Sequence, residues 1–205
     1  MSKIIFFVKE SWLLIVSSFF FGLLLAVTDA AWRPKIEQNK QAETNQTMAA
    51  LLPGAEKFEQ AAETDIDLGE GKKSQSRIYK ALSAKGECVG WIFNAEGAGF
   101  ANKIEMIVAV DKNFEKIEGL SFTDIQETPG FGDKANQPAF RNQFLQAPAG
   151  ELKLTKTGDA GKIDSEIVAI TGATVTSTAV VNSVNNYLKP VKDHLLDKGL
   201  IQNGK

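Results

Sequence analysis

Hydroxyl side chains are concentrated in the segment "TGATVTS" (171–177), which lies between a predicted strand and a predicted helix. At such a junction, the unpaired backbone N–H groups of the first helical turn and the positive end of the helix dipole attract an anion such as a phosphate. Gly172 has no Cβ, so it permits an unusual backbone angle or the close approach of a ligand. Taken alone, the residues favour a simpler interpretation, in which one threonine caps the helix. The segment is not a P-loop, because no lysine follows Gly172 at the required distance.

A second segment, "ETPGFG" (127–132), combines two polar side chains with a Pro-Gly turn. The polar members are Glu127 and Thr128. Pro129 and the glycines that follow it prevent regular secondary structure at this point. Taken alone, the residues indicate a turn that joins a strand to a helix.

The chain has one cysteine, Cys88, and one histidine, His194, which argues against several classes of site. No disulfide can form within the chain, and neither residue can join others of its type in a metal cluster. Cys88 lies in a strand-like run and is predicted to be a buried structural thiol. His194 is predicted to lie at the surface. We therefore predict no metal site and no side chain that acts as a catalytic acid, base or nucleophile.

An apolar segment at the N-terminus predicts membrane attachment. Residues 11–28 carry no charge, and Trp12 and Trp32 stand near the two ends of a stretch long enough to cross a bilayer. We predict a short tail over 1–10 and a transmembrane helix over 11–32, with a cleaved signal peptide as the alternative. Basic residues flank both ends, so the positive-inside rule does not fix the orientation.

The rest of the chain is predicted to form a stalk and one domain. Residues 33–54 read as a polar stalk helix that ends at Pro53-Gly54, followed by a domain over 55–205. The net charge of -2 and the lack of a basic stripe indicate that this domain does not bind nucleic acid.

Hairpin-like pairs of strands followed by a strand, a turn and a helix predict an α+β domain, with a mainly antiparallel sheet and flanking helices. The last helix is expected to start near Val175 and to end or kink near Lys189, because Pro190 follows. Loops are expected over 67–77 and 123–135. The predicted strands are 77–83, 88–96, a strand through 104–110, 117–122 and 166–171, and a short helix is predicted over 138–147.

The motifs resemble those of a known family. "ITGATVTS" looks like the flavinylation motif of membrane-anchored FMN-binding subunits, the G subunit of the Rnf electron-transport complex and the C subunit of the Na+-translocating NADH:quinone reductase. "GWIFNAEGAGFANKIEMIVAVD" (90–111) is similar to the strand–glycine turn–strand element of the family, and "ETPGFGDKANQPAFRNQF" (127–144) is similar to its loop and following helix. The resemblance covers essentially the whole chain. Its short length is more like the Rnf G subunit.

The resemblance implies a site in which the phosphate of FMN is esterified to the hydroxyl of Thr174, with Thr176 as the competing hydroxyl. It places Glu127 and Thr128 near the flavin ring, where three aromatic side chains are candidates for packing. One departure from the family is Val168, which stands where an acidic residue is often found; Asp164 and Glu166 lie nearby. The implied cofactor-binding residues are Thr171, Gly172, Ala173, Val175, Thr176, Glu127, Thr128 and Gly130, and the aromatic candidates are Trp91, Phe100 and Phe131.

The resemblance also implies a function. The chain would relay single electrons through its FMN as a subunit of an ion-translocating ferredoxin:NAD oxidoreductase, without independent catalysis. It would need other membrane subunits of an Rnf-type complex as partners and a flavin transferase for maturation. Its domain would lie on the extracytoplasmic side of the cytoplasmic membrane. The alternatives are the quinone-reductase C subunit, a stand-alone flavin carrier, or a non-redox anchored domain that binds a ligand or partner.

Overall fold

The computed structural model describes the backbone of residues 2–69, 71 and 73–202, with the side chains of the same residues except 2–9, 37, 40 and 41. The chain forms two units, one that ends at Thr44 and one that begins at Asn45. The first unit lies within helix α1 (Ser2–Leu51), and the last residues of this helix belong to the second unit. In it, Glu10–Ile36 is a segment of 27 residues whose length and composition suit a membrane span, and none of its side chains is buried.

The second unit is built on a five-stranded sheet. The strands follow the order of the chain across the sheet, and each pair of neighbours is antiparallel. This confirms the predicted α+β fold with a mainly antiparallel sheet. The strands are β1 (Lys57–Asp67), β2 (Lys73–Leu82), β3 (Cys88–Ala98), β4 (Lys103–Asp111) and β5 (Ile117–Ile125).

Shorter elements follow the sheet and lead to the C-terminal helix. Two 3₁₀ turns flank the single-turn helix α2, and a separate two-stranded parallel sheet stands before the last helix, α3. The 3₁₀ turns are Gly132–Asn136 and Asn142–Phe144, and the other elements are α2 (Pro138–Arg141), β6 (Lys153–Thr155), β7 (Glu166–Val168) and α3 (Thr174–Asp197).

Both faces of the sheet are covered over the central strands, and β4 shows how. Its side chains alternate, so Met106 and Val108 belong to the cluster that packs against α3, while Ile107 points to the opposite face. A second cluster lies on that opposite face. It is completed by Met48, near the end of α1, and by Leu52, which follows the helix. The helices therefore flank the sheet, and burial of these apolar side chains holds the layers together.

Helix α3 runs through Pro190 to Asp197, so it does not end near Lys189, which was one of the two outcomes predicted there. A proline inside a helix removes one backbone hydrogen bond, here to the carbonyl of Asn186. Asn186 is exposed, so water can solvate that carbonyl. Beyond the proline, Val191 and Leu195 are fully buried in the core and hold the last turns against the sheet. Tertiary packing thus outweighs the local penalty.

Two strands were not predicted, and both predicted loops are too long. The loop predicted over 123–135 overlaps the end of β5 at Ile125 and the 3₁₀ turn that begins at Gly132. β1 is an edge strand with few apolar residues, but it pairs with β2 over most of its length. β2 begins at Lys73, inside the segment predicted as a loop over 67–77. β6 has three residues and exists only through its pairing with β7, which itself ends at Val168 rather than at residue 171. Such strands carry little periodic signal of their own.

Candidate functional site

Three parts of the second unit meet around one cavity of about 480 Å³: the tight turn between β3 and β4, the loop after β5, and the first turn of α3. Each part is fixed by a regular element, because the strands anchor the two loops and the core-facing side of α3 anchors its start. The lining residues are Phe100, Glu127, Thr128, Phe131, Gly132, Gly172, Ala173, Thr174, Val175 and Thr176.

The first turn of α3 has no side-chain cap. The residue before the helix is Ala173, and none of the threonines around it bonds to the free backbone N–H groups of the first turn. The simpler interpretation of the hydroxyl cluster, a threonine cap, is therefore wrong. Gly172 has a φ of +82°, a left-handed conformation that turns the chain from β7 into the helix and that glycine adopts without strain. The positive end of α3 thus faces the cavity with its donors available to a ligand.

The hydroxyl groups that follow Thr174 are occupied. Thr176 donates to a carboxylate oxygen of Glu127 at 2.8 Å, Ser177 donates to the carbonyl of Ala173 at 2.9 Å, and Thr178 donates to the carbonyl of Thr174 at 2.8 Å. Thr176 is only 2% exposed. Among the residues that the structure describes, none hydrogen bonds to the hydroxyl of Thr174, which is exposed and lines the cavity. Thr174 therefore presents the available hydroxyl of the helix start.

Glu127 links the three parts of the site. One carboxylate oxygen, Oε1, accepts the backbone N–H groups of Phe100 at 2.9 Å and Ala101 at 3.1 Å. The other, Oε2, accepts the hydroxyl of Thr176 on α3. The side chain is only 8% exposed, so these bonds form where water competes little. This one carboxylate therefore joins the start of α3 to the β3–β4 turn.

Two glycines let the backbone approach Glu127 closely. A Cβ at Gly99 would lie 2.2 Å from Oε1 of Glu127, and a Cβ at Gly132 would lie 2.7 Å from Oε2 of Glu127 and from Oγ1 of Thr176. Gly132 was not among the residues predicted from the sequence. The sequence does carry a sign of this role, because "ETPGFG" contains a second glycine, Gly132. The turn does not require that glycine, since Gly130 already adopts the left-handed conformation, with a φ of +80°.

We expect Gly132→Ala to lower the free energy of unfolding by about 1–3 kcal/mol, because the new methyl group must separate Glu127 from Thr176. Urea denaturation of the purified chain in detergent measures this change. Gly150→Ala is the matched control, since a Cβ there meets nothing within 4 Å. Its effect should stay within about 0.5 kcal/mol. Equal effects of the two substitutions would contradict the close packing at Gly132.

The rim of the cavity is apolar and exposed. Phe100 is 67% exposed, Phe131 53% and Val175 56%. The ring of Phe131 lies over Gly172, where a Cβ would come within 3.1 Å of it. These side chains offer flat apolar surface to a ligand beside the helix start.

Three of the predicted site residues do not line the cavity. Thr171 and Gly130 are exposed and adjacent to lining residues in the chain. Trp91 is 1% exposed in the core, where its indole N–H donates to the carbonyl of Lys112 at 3.2 Å. Trp91 is therefore a core residue, whereas the two phenylalanine candidates do reach the cavity.

The backbone before the hydroxyl cluster is held by a glutamine. The side-chain amide of Gln143 accepts the N–H of Val168 at 2.7 Å and donates to its carbonyl at 3.2 Å, so it replaces a neighbouring strand at the edge of β7. Of the two nearby acidic residues, Asp164 accepts the N–H of Glu166 at 2.7 Å. The hydrogen bond from Lys162, together with that backbone bond, lowers the pKa of Asp164. Asp164 is thus an ionised carboxylate on the approach to the motif.

Comparisons with known proteins show what this chain is similar to. The FMN-binding domain family matches residues 99–189, which include all ten lining residues. A relative from Clostridium ljungdahlii, the G subunit of a proton-translocating ferredoxin:NAD(+) oxidoreductase complex, is 30% identical over 87% of this chain and 88% of its own length. The G subunit of an ion-translocating oxidoreductase complex from Methanosarcina acetivorans is 28% identical over 84% and 88%. The crystal structure of Shewanella oneidensis NqrC has the same fold, with a TM-score of 0.54 at 23% identity over 66% of each chain.

Proposed function

This chain belongs to the family of the G subunits of ion-translocating oxidoreductase complexes, and from that premise we propose that it carries FMN on Thr174 and relays single electrons within such a complex. The relatives are subunits of oxidoreductase complexes, so the chain is a redox component of an enzyme complex, not an enzyme by itself. The FMN-binding domain makes it a flavoprotein, and the N-terminal apolar helix indicates a single-pass membrane protein.

The start of α3 and the rim of the cavity suit the two ends of FMN. The uncapped start of α3 suits the phosphate, because free N–H groups and the helix dipole stabilise a negative charge there. Phe100 and Phe131 suit the flat, largely apolar ring. When bound, FMN supplies the electron chemistry.

We assign the attachment to Thr174 because the hydroxyl groups at the start of α3 differ in exposure and hydrogen bonding. Thr176 is buried and donates to Glu127, while the hydroxyl of Thr174 is exposed at the cavity. Attachment would join the Oγ of Thr174 to the phosphorus of the FMN half of FAD, and the bond between the two phosphates would break. AMP leaves, and the hydroxyl proton passes to solvent or to the flavin transferase that catalyses this step.

The side chains of this chain bind and orient the cofactor, and they take no part in making or breaking bonds during electron transfer. The phosphoester fixes one end of FMN, and the rim limits the positions of the ring. Such restriction keeps the distance to neighbouring redox centres constant. We further propose that the domain faces the extracytoplasmic side, where a tethered cofactor cannot be lost, and that the electron partners are other membrane subunits of the complex.

The proposal is tested by expressing the full chain with and without a flavin transferase. We expect a band that fluoresces under ultraviolet light on a denaturing gel only when the transferase is present. The intact mass of that sample should rise by one FMN less one water. A colourless protein with an unshifted mass in both samples would overturn the proposal and favour a non-redox binding domain.

A further inference from the structure

Glu127 is the only charged residue among the ten that line the cavity. The others are threonines, glycines, alanine, valine and phenylalanines, which are neutral at every physiological pH. Among the residues that the structure describes, no lysine or arginine forms an ion pair with Glu127. A cofactor in this cavity is therefore bound beside one fixed negative charge.

Hydrogen bonds, rather than a cation, hold the carboxylate of Glu127 in position. It accepts two backbone N–H groups and the hydroxyl of Thr176, and it lies at the positive end of α3. Because the side chain is 8% exposed and held at both oxygens, it cannot swing away from the cavity or be screened fully by water.

We infer that Glu127 lowers the reduction potential of the FMN bound in this cavity, in addition to holding the three parts of the site together. This inference rests on the proposed function. Each electron that a reductant delivers to the flavin without an accompanying proton adds one negative charge, and a nearby fixed carboxylate opposes that charge. No lysine or arginine among the lining residues pairs with this carboxylate.

The test is a potentiometric titration of the flavinylated full chain in detergent, with dithionite as reductant and redox dyes as mediators. Glu127→Gln keeps the shape and can still accept from Phe100 and Ala101, but it removes the charge. At a fixed applied potential, we expect the ratio of reduced to oxidised flavin to rise about tenfold. Glu127→Asp, which keeps the charge, should remain much closer to the wild-type ratio.

A second variant covers the case in which Glu127→Gln does not accept FMN. Thr128→Lys adds an ammonium group at an exposed position of the same lining and should also raise the ratio. An unchanged or lower ratio of reduced to oxidised flavin in Glu127→Gln would overturn the inference. If only Thr128→Lys carries FMN, an unchanged or lower ratio in that variant would overturn it. A wild-type chain without FMN would instead overturn the proposed function, so the two failures are distinguishable.

Discussion

Thr174→Ala should abolish covalent attachment of FMN, with no fluorescent band on a denaturing gel and an unshifted intact mass. The reason is that the remaining hydroxyls of the first turns donate to groups of the protein, and Thr176 is buried as well. The fold should be unaffected, because the side chain of Thr174 is exposed and unbonded among the described residues. We expect its free energy of unfolding to stay within about 0.5 kcal/mol of wild type.

Thr178→Ala is the matched control for this loss. It removes a hydroxyl of the same helix, four residues further along, that bonds only to the carbonyl of Thr174. That variant should be flavinylated to the wild-type level. A fluorescent Thr174→Ala chain would show that another hydroxyl is the attachment site, and mass mapping of its peptides would identify which one.

Glu127→Ala should lower the free energy of unfolding by about 2–4 kcal/mol. The substitution leaves the N–H groups of Phe100 and Ala101 without their acceptor, and it does the same to the hydroxyl of Thr176, which is only 2% exposed. Loss of a buried charged acceptor is among the mechanisms that give large effects. Urea denaturation of the full chain in detergent, followed by far-ultraviolet circular dichroism, measures the change.

Gln126→Ala provides the comparison at the neighbouring position. Its side chain is exposed and bonds to Asn102 and Asp124 at 3.3 Å, so its removal should change the free energy of unfolding by less than about 0.5 kcal/mol. The decrease in the free energy of unfolding for Glu127→Gln should lie between those for Glu127→Ala and Gln126→Ala, because glutamine keeps one acceptor oxygen. If Glu127→Ala were no less stable than Gln126→Ala, Glu127 would not hold the parts of the site together.

Most of the sheet could be predicted from the sequence, because its central strands carry their own pattern. The period of two from Ile104 to Val110 predicts a half-buried strand, whereas the structure also buries Ile107 and Ala109 on the opposite face. The strands β3 and β5 were predicted from the hairpin turns beside them. The edge strand β1 and the three-residue β6 were not, since their pairing partners rather than their own residues stabilise them.

The sequence by itself determined the membrane segment, the fold class and the motifs "TGATVTS" and "ETPGFG", because each depends on a local run of residues. Only the tertiary structure decided how each residue of those motifs is exposed and hydrogen bonded. It shows Trp91 in the core, Thr176 bonded to Glu127, and Thr174 exposed at an uncapped helix. Exposure and hydrogen-bond partners depend on residues far away in the chain, as with Glu127 and Thr176, 49 positions apart. No local pattern encodes such a contact, so chemically equivalent hydroxyls become distinct only after folding.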